Sequence, residues 1–152
     1  MGNNPTIRFL RLKPERDEDI PLPRYMTPLS AGMDICASIE KNLDVEHGNI
    51  ELIPTGLAVA IPPGFEIEIR PRSGLAVKHG ISIINSPGTI DADYRGEIMI
   101  AVINLGKKAY TFRRGDRIAQ MLVKKVYQAN VELVEELDDT RRSKGGFGHT
   151  GL

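Results

Sequence analysis

Glycine and proline cut this chain into apolar runs too short for long helices, and that leaves few ways to build a core. Fifteen glycines and ten prolines are spread along 152 residues rather than gathered in one linker. Between them lie Ile50 to Ile53, Gly56 to Ile61, Phe65 to Ile69, Ile81 to Ile84, Ile98 to Ile103 and Ile118 to Val126. In Phe65-Glu-Ile-Glu-Ile-Arg70 the alternation is strict, which turns one face to a core and the other to solvent. No stretch sustains a 3.6-residue period, and the best helix candidate is the short Ser73-Gly-Leu-Ala-Val-Lys78. Many short strands separated by turn signals predict an all-β sandwich or barrel.

The length fits one domain with a real core. Twenty basic and twenty acidic side chains cancel, so nothing draws the whole chain toward nucleic acid or membrane. The lone Cys36 excludes an internal disulfide framework and a cysteine zinc cluster, and suits a reducing, cytoplasmic setting. Met-Gly-Asn-Asn-Pro at the start has no apolar signal core, and no run of about 18 apolar residues occurs, so a soluble protein is expected. Lys13 to Pro23 is charged and proline-rich, and reads as a surface loop with no sign of chemistry. Asp138 to Leu152 has only Phe147 and Leu152 as large apolar residues, so a mobile tail is expected there, able to order over a ligand.

Chemistry concentrates in five glycine-bearing patches. In Gly88-Thr-Ile-Asp-Ala-Asp-Tyr-Arg-Gly-Glu97, Asp91, Asp93, Tyr94 and Arg95 crowd a turn-like stretch with no packing purpose. The runs on either side, Ile81 to Ile84 and Ile98 to Ile103, read as strands, so the loop is predicted to cap a hairpin. A carboxylate on so rigid a support can position and deprotonate a water. The other patches are Ala31-Gly-Met-Asp-Ile-Cys-Ala37, Pro71-Arg-Ser-Gly-Leu-Ala76, Arg114-Gly-Asp-Arg-Ile-Ala-Gln120 and Arg142-Ser-Lys-Gly-Gly-Phe-Gly-His-Thr-Gly151, each where a strand pattern breaks.

Arg72, Ser73 and Gly74 offer a guanidinium, a hydroxyl and free amides ahead of the short helix, which suits a phosphate. An N-cap serine beside a surface arginine is the plainer alternative. For Gly115-Asp116-Arg117 with Gln120, a hairpin turn with a local ion pair is the plainer reading. The tail lacks the spacing of a Walker loop, and an unstructured terminus is its plainer reading. Asp91, Asp93 and Gly96 match three positions of a calcium loop, but Val102 stands where its glutamate belongs. His47, His79 and His149 are scattered and read as surface residues. A divalent metal is therefore expected to arrive on a substrate's phosphates.

In this order and spacing the five patches resemble the five motifs of the trimeric deoxyuridine triphosphate nucleotidohydrolases (dUTPases), over about Ile7 to Gly151. The resemblance implies a distorted jelly-roll β-barrel over residues 1–137 with one short helix, and a flexible glycine-rich tail over 138–152 that closes on the active site. It implies a homotrimer with shared active sites between subunits. The implied reaction is dUTP plus water to dUMP and pyrophosphate with Mg2+ on the triphosphate, limiting uracil incorporation into DNA and supplying dUMP for dTMP synthesis.

Laid onto matching residues, the resemblance makes Asp91 the general base that holds the water attacking the α-phosphorus. Arg72, Ser73, Gly74, Gln120 and Arg142 match phosphate-contacting positions. Asp34 matches the aspartate that holds magnesium through its water ligands. The hairpin from about Ile84 to Met99 reads the uracil edge, with Asn85, Gly88, Ile90 and Met99 at substrate-binding positions. Tyr94 matches the ring beneath the deoxyribose, leaving no room for a 2′-hydroxyl. Phe147, followed by Gly148, stacks on uracil when the tail closes and excludes water. Ser143 and Lys144 depart from the family, whose members often carry glycine directly after the arginine, so closure is expected to differ in rate or affinity.

Two rivals share the fold. A dCTP deaminase needs a catalytic glutamate arrangement where this chain has the Ile90-Asp-Ala-Asp-Tyr-Arg-Gly-Glu97 hairpin. A non-catalytic regulatory relative should have lost Asp91, Tyr94 or Phe147, and all three are present. A nucleic-acid-binding module is disfavoured by the balanced charge and the few aromatics.

Overall fold

A computed structural model describes residues 4–146. The chain's regular secondary structure is almost entirely β, as the short apolar runs predict. Its strands are β1 (Arg8–Arg11), β2 (Arg24–Tyr25), β3 (Met33–Cys36), β4 (Leu43–Val45), β5 (Ile50–Ala60), β6 (Phe65–Arg70), β7 (Ile81–Ile83), β8 (Gly88–Ile90), β9 (Glu97–Asn104), β10 (Tyr110–Phe112) and β11 (Arg117–Lys125). One helix, α1 (Ser73–His79), joins β6 to β7. The antiparallel strands form a four-stranded sheet in the order β1-β5-β9-β7, a five-stranded sheet in the order β2-β3-β11-β6-β8, and the ribbon β10-β4. The arrangement is jelly-roll-like, its sheets enclosing one core without joining into a single continuous barrel.

Alternation decides which side chains face inward. Ile98, Ile100, Val102 and Asn104 of β9 are buried, as are Ile67 and Ile69 of β6. The apolar ones join Ile35, Ile53, Phe112 and Met121 in one cluster drawn from all three sheets. Each large apolar side chain so buried contributes about 1.5–3 kcal/mol. Asn104 has its own partners, its Nδ2 donating to the carbonyls of Val45 (2.7 Å) and Lys108 (2.9 Å).

The runs Ile50 to Ile53 and Gly56 to Ile61 belong to a single strand, β5, whose register on β9 shifts between Pro54 and Ala58. Gly56 sits at φ 69°, in the left-handed region, and a Cβ there would collide with the Asp17 carboxylate. That carboxylate corrects the plain surface-loop reading of Lys13–Pro23. Ile20 is buried, and Asp17 is 1% exposed. Asp17 accepts hydrogen bonds from Arg16 Nε and Nη2 (both 2.7 Å), Ser38 Oγ (2.6 Å) and Arg114 Nη2 (3.2 Å). The Arg16 hydrogen bonds, reinforced by Ser38 and Arg114, outweigh burial and hold this carboxyl well below the usual carboxylate range. Ser38 and Arg114 lie 21 and 97 residues away along the chain, which is why composition did not disclose the anchor.

After β11 no strand or helix follows among the described residues, and Tyr127, Val131, Leu133 and Leu137 are exposed. Among the described residues no helix is long and apolar enough to cross a membrane.

Candidate active site

Two of the five patches are not breaks in the strand pattern but strands themselves. Asp34 lies in β3 and Gln120 in β11, directly opposite in register, and Gln120 also faces Arg70 across β6. Arg70 is two residues before Arg72, so strand pairing alone brings three sequence-distant patches together. Asp34 is buried, and its Oδ2 accepts from Arg117 Nη1 at 2.9 Å while Oδ1 accepts from Gln120 Nε2 at 3.2 Å. Arg72 Nε stands 3.5 Å from the same Oδ2, and Arg72 Nη1 donates to the Arg117 carbonyl at 3.0 Å. Two guanidiniums thus face one carboxylate, and the net positive cluster suits anionic oxygens.

Arg117 does not form the predicted local ion pair with Asp116. Asp116 instead accepts the Arg113 backbone N–H through Oδ2 at 2.8 Å, closing the turn, and Arg117 reaches Asp34, 83 residues away. The sequence offered no signal for this partnership beyond a cation beside a turn. The N-cap serine alternative also fails. Arg72 occupies the cap position of α1 without a side-chain cap bond, and Ser73 is the first helical residue, exposed beside an exposed Gly74.

The second assembly is the hairpin. β7 and β9 pair, with Ile81 opposite Asn104 and Ile83 opposite Val102, so the predicted flanking strands do meet. The connection between them is more than a cap. Within it β8 crosses to the other sheet and pairs with β6, Gly88 opposite Ile69 and Ile90 opposite Ile67. Ile90 is buried in the core and Asp91, the next residue, is exposed. The turn beyond is closed by Tyr94 N–H donating to Asp91 O (3.2 Å) and by Arg95 Nη1 donating to the carbonyls of Ala92 and Tyr94 (both 2.7 Å).

Tyr94 is 44% exposed, which rules out a core aromatic, and its hydroxyl donates to the Glu97 carbonyl at 2.9 Å. The ring lies so close over Gly96 that any side chain there would collide with it. Asn85 packs its amide against Gly88, where a Cβ would come within 3.2 Å of Asn85 Nδ2 and 3.3 Å of Ile69 Cβ. Met99 faces outward on β9 opposite Pro54.

Asp91, Asp93 and Arg95 line a cavity of about 720 Å³ together with Phe65 and Glu66. Asp34, Arg72, Ser73 and Gln120 do not line it. Within one chain, the hairpin carboxylate and the cationic cluster share neither this cavity nor a hydrogen bond among the described residues, and so form two assemblies. In the tail, Arg142 Nε donates to Gly145 O (3.0 Å), and Ser143 holds φ 41°, a backbone region in which glycine is at ease. Arg142 joins neither assembly. Phe147, Gly148 and His149 lie outside the described residues. His47 and His79 are exposed, the first beside the Gly106 carbonyl (2.7 Å) and the second against the Tyr110 ring. No three His, Cys, Asp or Glu side chains among the described residues converge on a metal position.

Comparison with known proteins gives a concordant picture. The family model for dUTPase matches residues 18–151. The deoxyuridine 5′-triphosphate nucleotidohydrolase of Desulfotalea psychrophila is 53% identical, over 96% of this chain and 97% of its own length. That of Rickettsia felis is 51% identical, over 97% and 99%. Among solved structures, the Staphylococcus bacteriophage 80alpha dUTPase with dUpNHpp superposes with a TM-score of 0.84 at 24% identity, covering 97% of this chain and 99% of that one. A dUTPase mutant of phage phi11 of S. aureus, described as coordinating a structural Mg(II) ion, superposes with a TM-score of 0.77 at 24% identity, over 88% of this chain and 99% of that one.

Proposed function

Because the chain belongs to the dUTPase family, hydrolysing dUTP to dUMP and pyrophosphate, we propose that Asp91 is its general base and that Arg72, Ser73, Gly74 and Gln120 bind the phosphates. The observation that carries this reading is the placement of Asp91. Its carboxylate follows directly on buried Ile90, accepts no hydrogen bond among the described residues, and opens on a roomy cavity. A carboxylate is a weak base at neutral pH, so its contribution lies mainly in holding a water at attacking distance and in line with the leaving pyrophosphate. Charge in the transition state spreads over phosphoryl oxygens, which preorganised guanidiniums, amides and hydroxyls stabilise. From the tail of a neighbouring copy Arg142 joins them, with Phe147 and Gly148 closing over the uracil.

Magnesium fits this reading as a partner of the substrate rather than of a protein cage. Asp34 Oδ2 is taken by Arg117, but among the described residues Oδ1 accepts only the Gln120 amide and keeps lone-pair capacity for a metal-bound water. When bound to the triphosphate, the ion withdraws negative charge from its oxygens.

Selectivity falls to the hairpin. One methyl group in an accommodating pocket changes binding by only about 1–3 kcal/mol, so thymine must meet a wall that does not yield. A segment tied to β6 through β8 supplies that stiffness. Asn85 and Gly88 read the base, Ile90 and Met99 complete the substrate-binding hairpin, and Tyr94, fixed on the Glu97 carbonyl, excludes a 2′-hydroxyl.

The working form is a homotrimer in the cytoplasm, in which a neighbouring copy brings its cationic cluster to this chain's Asp91. The separation of the two assemblies supports association, as do the exposed Val131, Leu133 and Leu137 beyond β11. Pyrophosphate release from dUTP, dTTP, dCTP and UTP tests the reading. Turnover of dUTP should exceed the others by roughly two orders of magnitude or more. Equal release from all four, or ammonia from dCTP, would reject it.

A further inference from the structure

We propose that Arg117 is a positioning residue that neutralises Asp34 and so keeps Arg72 available to the substrate's phosphates; the inference rests on the dUTPase reading above. A buried carboxylate takes whatever cation reaches it, because leaving it unpaired is costly. Asp34 is almost fully buried, and two guanidiniums compete for its Oδ2. Arg117 holds it with a hydrogen bond of 2.9 Å from Nη1. Arg72 stands back at 3.5 Å through Nε, in a contact too long for a strong charge-assisted bond. Its Nη1 is steered instead onto the Arg117 main-chain carbonyl at 3.0 Å.

One residue thus does two things for Arg72. The Arg117 side chain occupies the rival anion, and its carbonyl fixes the guanidinium plane. Of the five N–H donors of Arg72, only the one on the carbonyl is committed to a hydrogen bond among the described residues, which leaves most of the fork for oxyanions. Without the Arg117 guanidinium, Asp34 would draw Arg72 into a full ion pair and withdraw it from the phosphate site. Gln120, hydrogen-bonded to the other oxygen of Asp34, is neutral and cannot take over that role.

The test uses full-length chain and binding of the non-hydrolysable triphosphate dUpNHpp against dUMP, both in EDTA so that any metal role of Asp34 drops out. Arg117→Gln should weaken dUpNHpp about tenfold or more, the size of one lost charge-assisted contact, and leave dUMP within about twofold. Arg117→Lys, which keeps a cation, should restore most of the affinity. The decisive variant is Arg117→Gln combined with Asp34→Asn, which removes the rival anion and should recover triphosphate binding relative to Arg117→Gln alone. A double variant as weak as the single one would overturn the proposal, since Arg117 would then touch phosphate itself or merely hold the fold. Equal losses for dUMP and dUpNHpp, or no loss for either, would overturn it too. Should Arg117→Gln fail to fold, the lysine and double variants decide, and a lysine variant without triphosphate affinity counts against it. Failure of the unaltered chain to hydrolyse dUTP would sink the parent reading separately.

Discussion

Asp91 owes its reach to the residue before it. Ile90 is sunk in the core opposite Ile67, so the backbone leaves β8 at a fixed point and presents the next carboxylate outward. Asp91→Asn keeps the shape and removes the base, so kcat should fall about 10²- to 10⁴-fold while dUpNHpp affinity changes little. Steady-state turnover beside calorimetric binding checks this, and near-normal turnover would remove Asp91 from the role. Tyr94 carries a different burden. Tyr94→Ala should raise the relative turnover of UTP over dUTP by roughly tenfold, read as a ratio of kcat/KM values; an unchanged ratio would end its sugar-sensing role. The exposed placement of both residues was legible in the sequence, because a carboxylate and a ring in a turn between two apolar runs have no packing purpose. Arg117 was not legible. Its partner is 83 residues away, and only the pairing of β3 with β11 shows that the two meet.

Elements follow the same division. β6 and β9 could be read directly, because alternation and burial coincide residue by residue. β5 could not be read as one strand, since Pro54 and Gly56 look like an ending where the structure has a register shift. The Lys13–Pro23 segment was the least legible, because its polar residues looked solvated. Asp17 is in fact buried beneath Gly56 and ties β1's exit to Ser38 and Arg114. Its carboxyl is held below the unfolded value of about 3.9, so the stability it contributes is fully present above about pH 5. That stability is lost as pH falls toward the depressed folded value. Asp17→Asn should therefore cost roughly 1–3 kcal/mol near neutrality, since it sets an amide against donors from three side chains, and the gap should narrow below about pH 4. Urea unfolding of both forms across pH 3 to 7 would show it; a gap independent of pH would mean that the ionised carboxylate is not what anchors the loop.

At the scale of the whole molecule the question is how two separated assemblies perform one reaction. The hairpin carboxylate opens on one cavity, and the cationic cluster around Asp34 lies elsewhere in the same chain. A single copy would hold the base and the phosphate ligands apart, whereas the reaction needs both at one phosphorus, with the attacking water opposite the leaving pyrophosphate. In the proposed ring of identical copies a heterologous contact would repair this, each copy offering its hairpin to one neighbour and its cluster to the other. That geometry makes a sharp prediction. Asp91→Asn chains and Arg72→Ala chains should each be nearly inactive alone. When co-refolded in equal amounts, about a quarter of sites should combine an intact Asp91 from one copy with an intact Arg72 from another, and that fraction of activity should return. Complementation requires that the two residues come from different copies, so a mixture that stays inactive while forming mixed oligomers would show that each chain completes its own site.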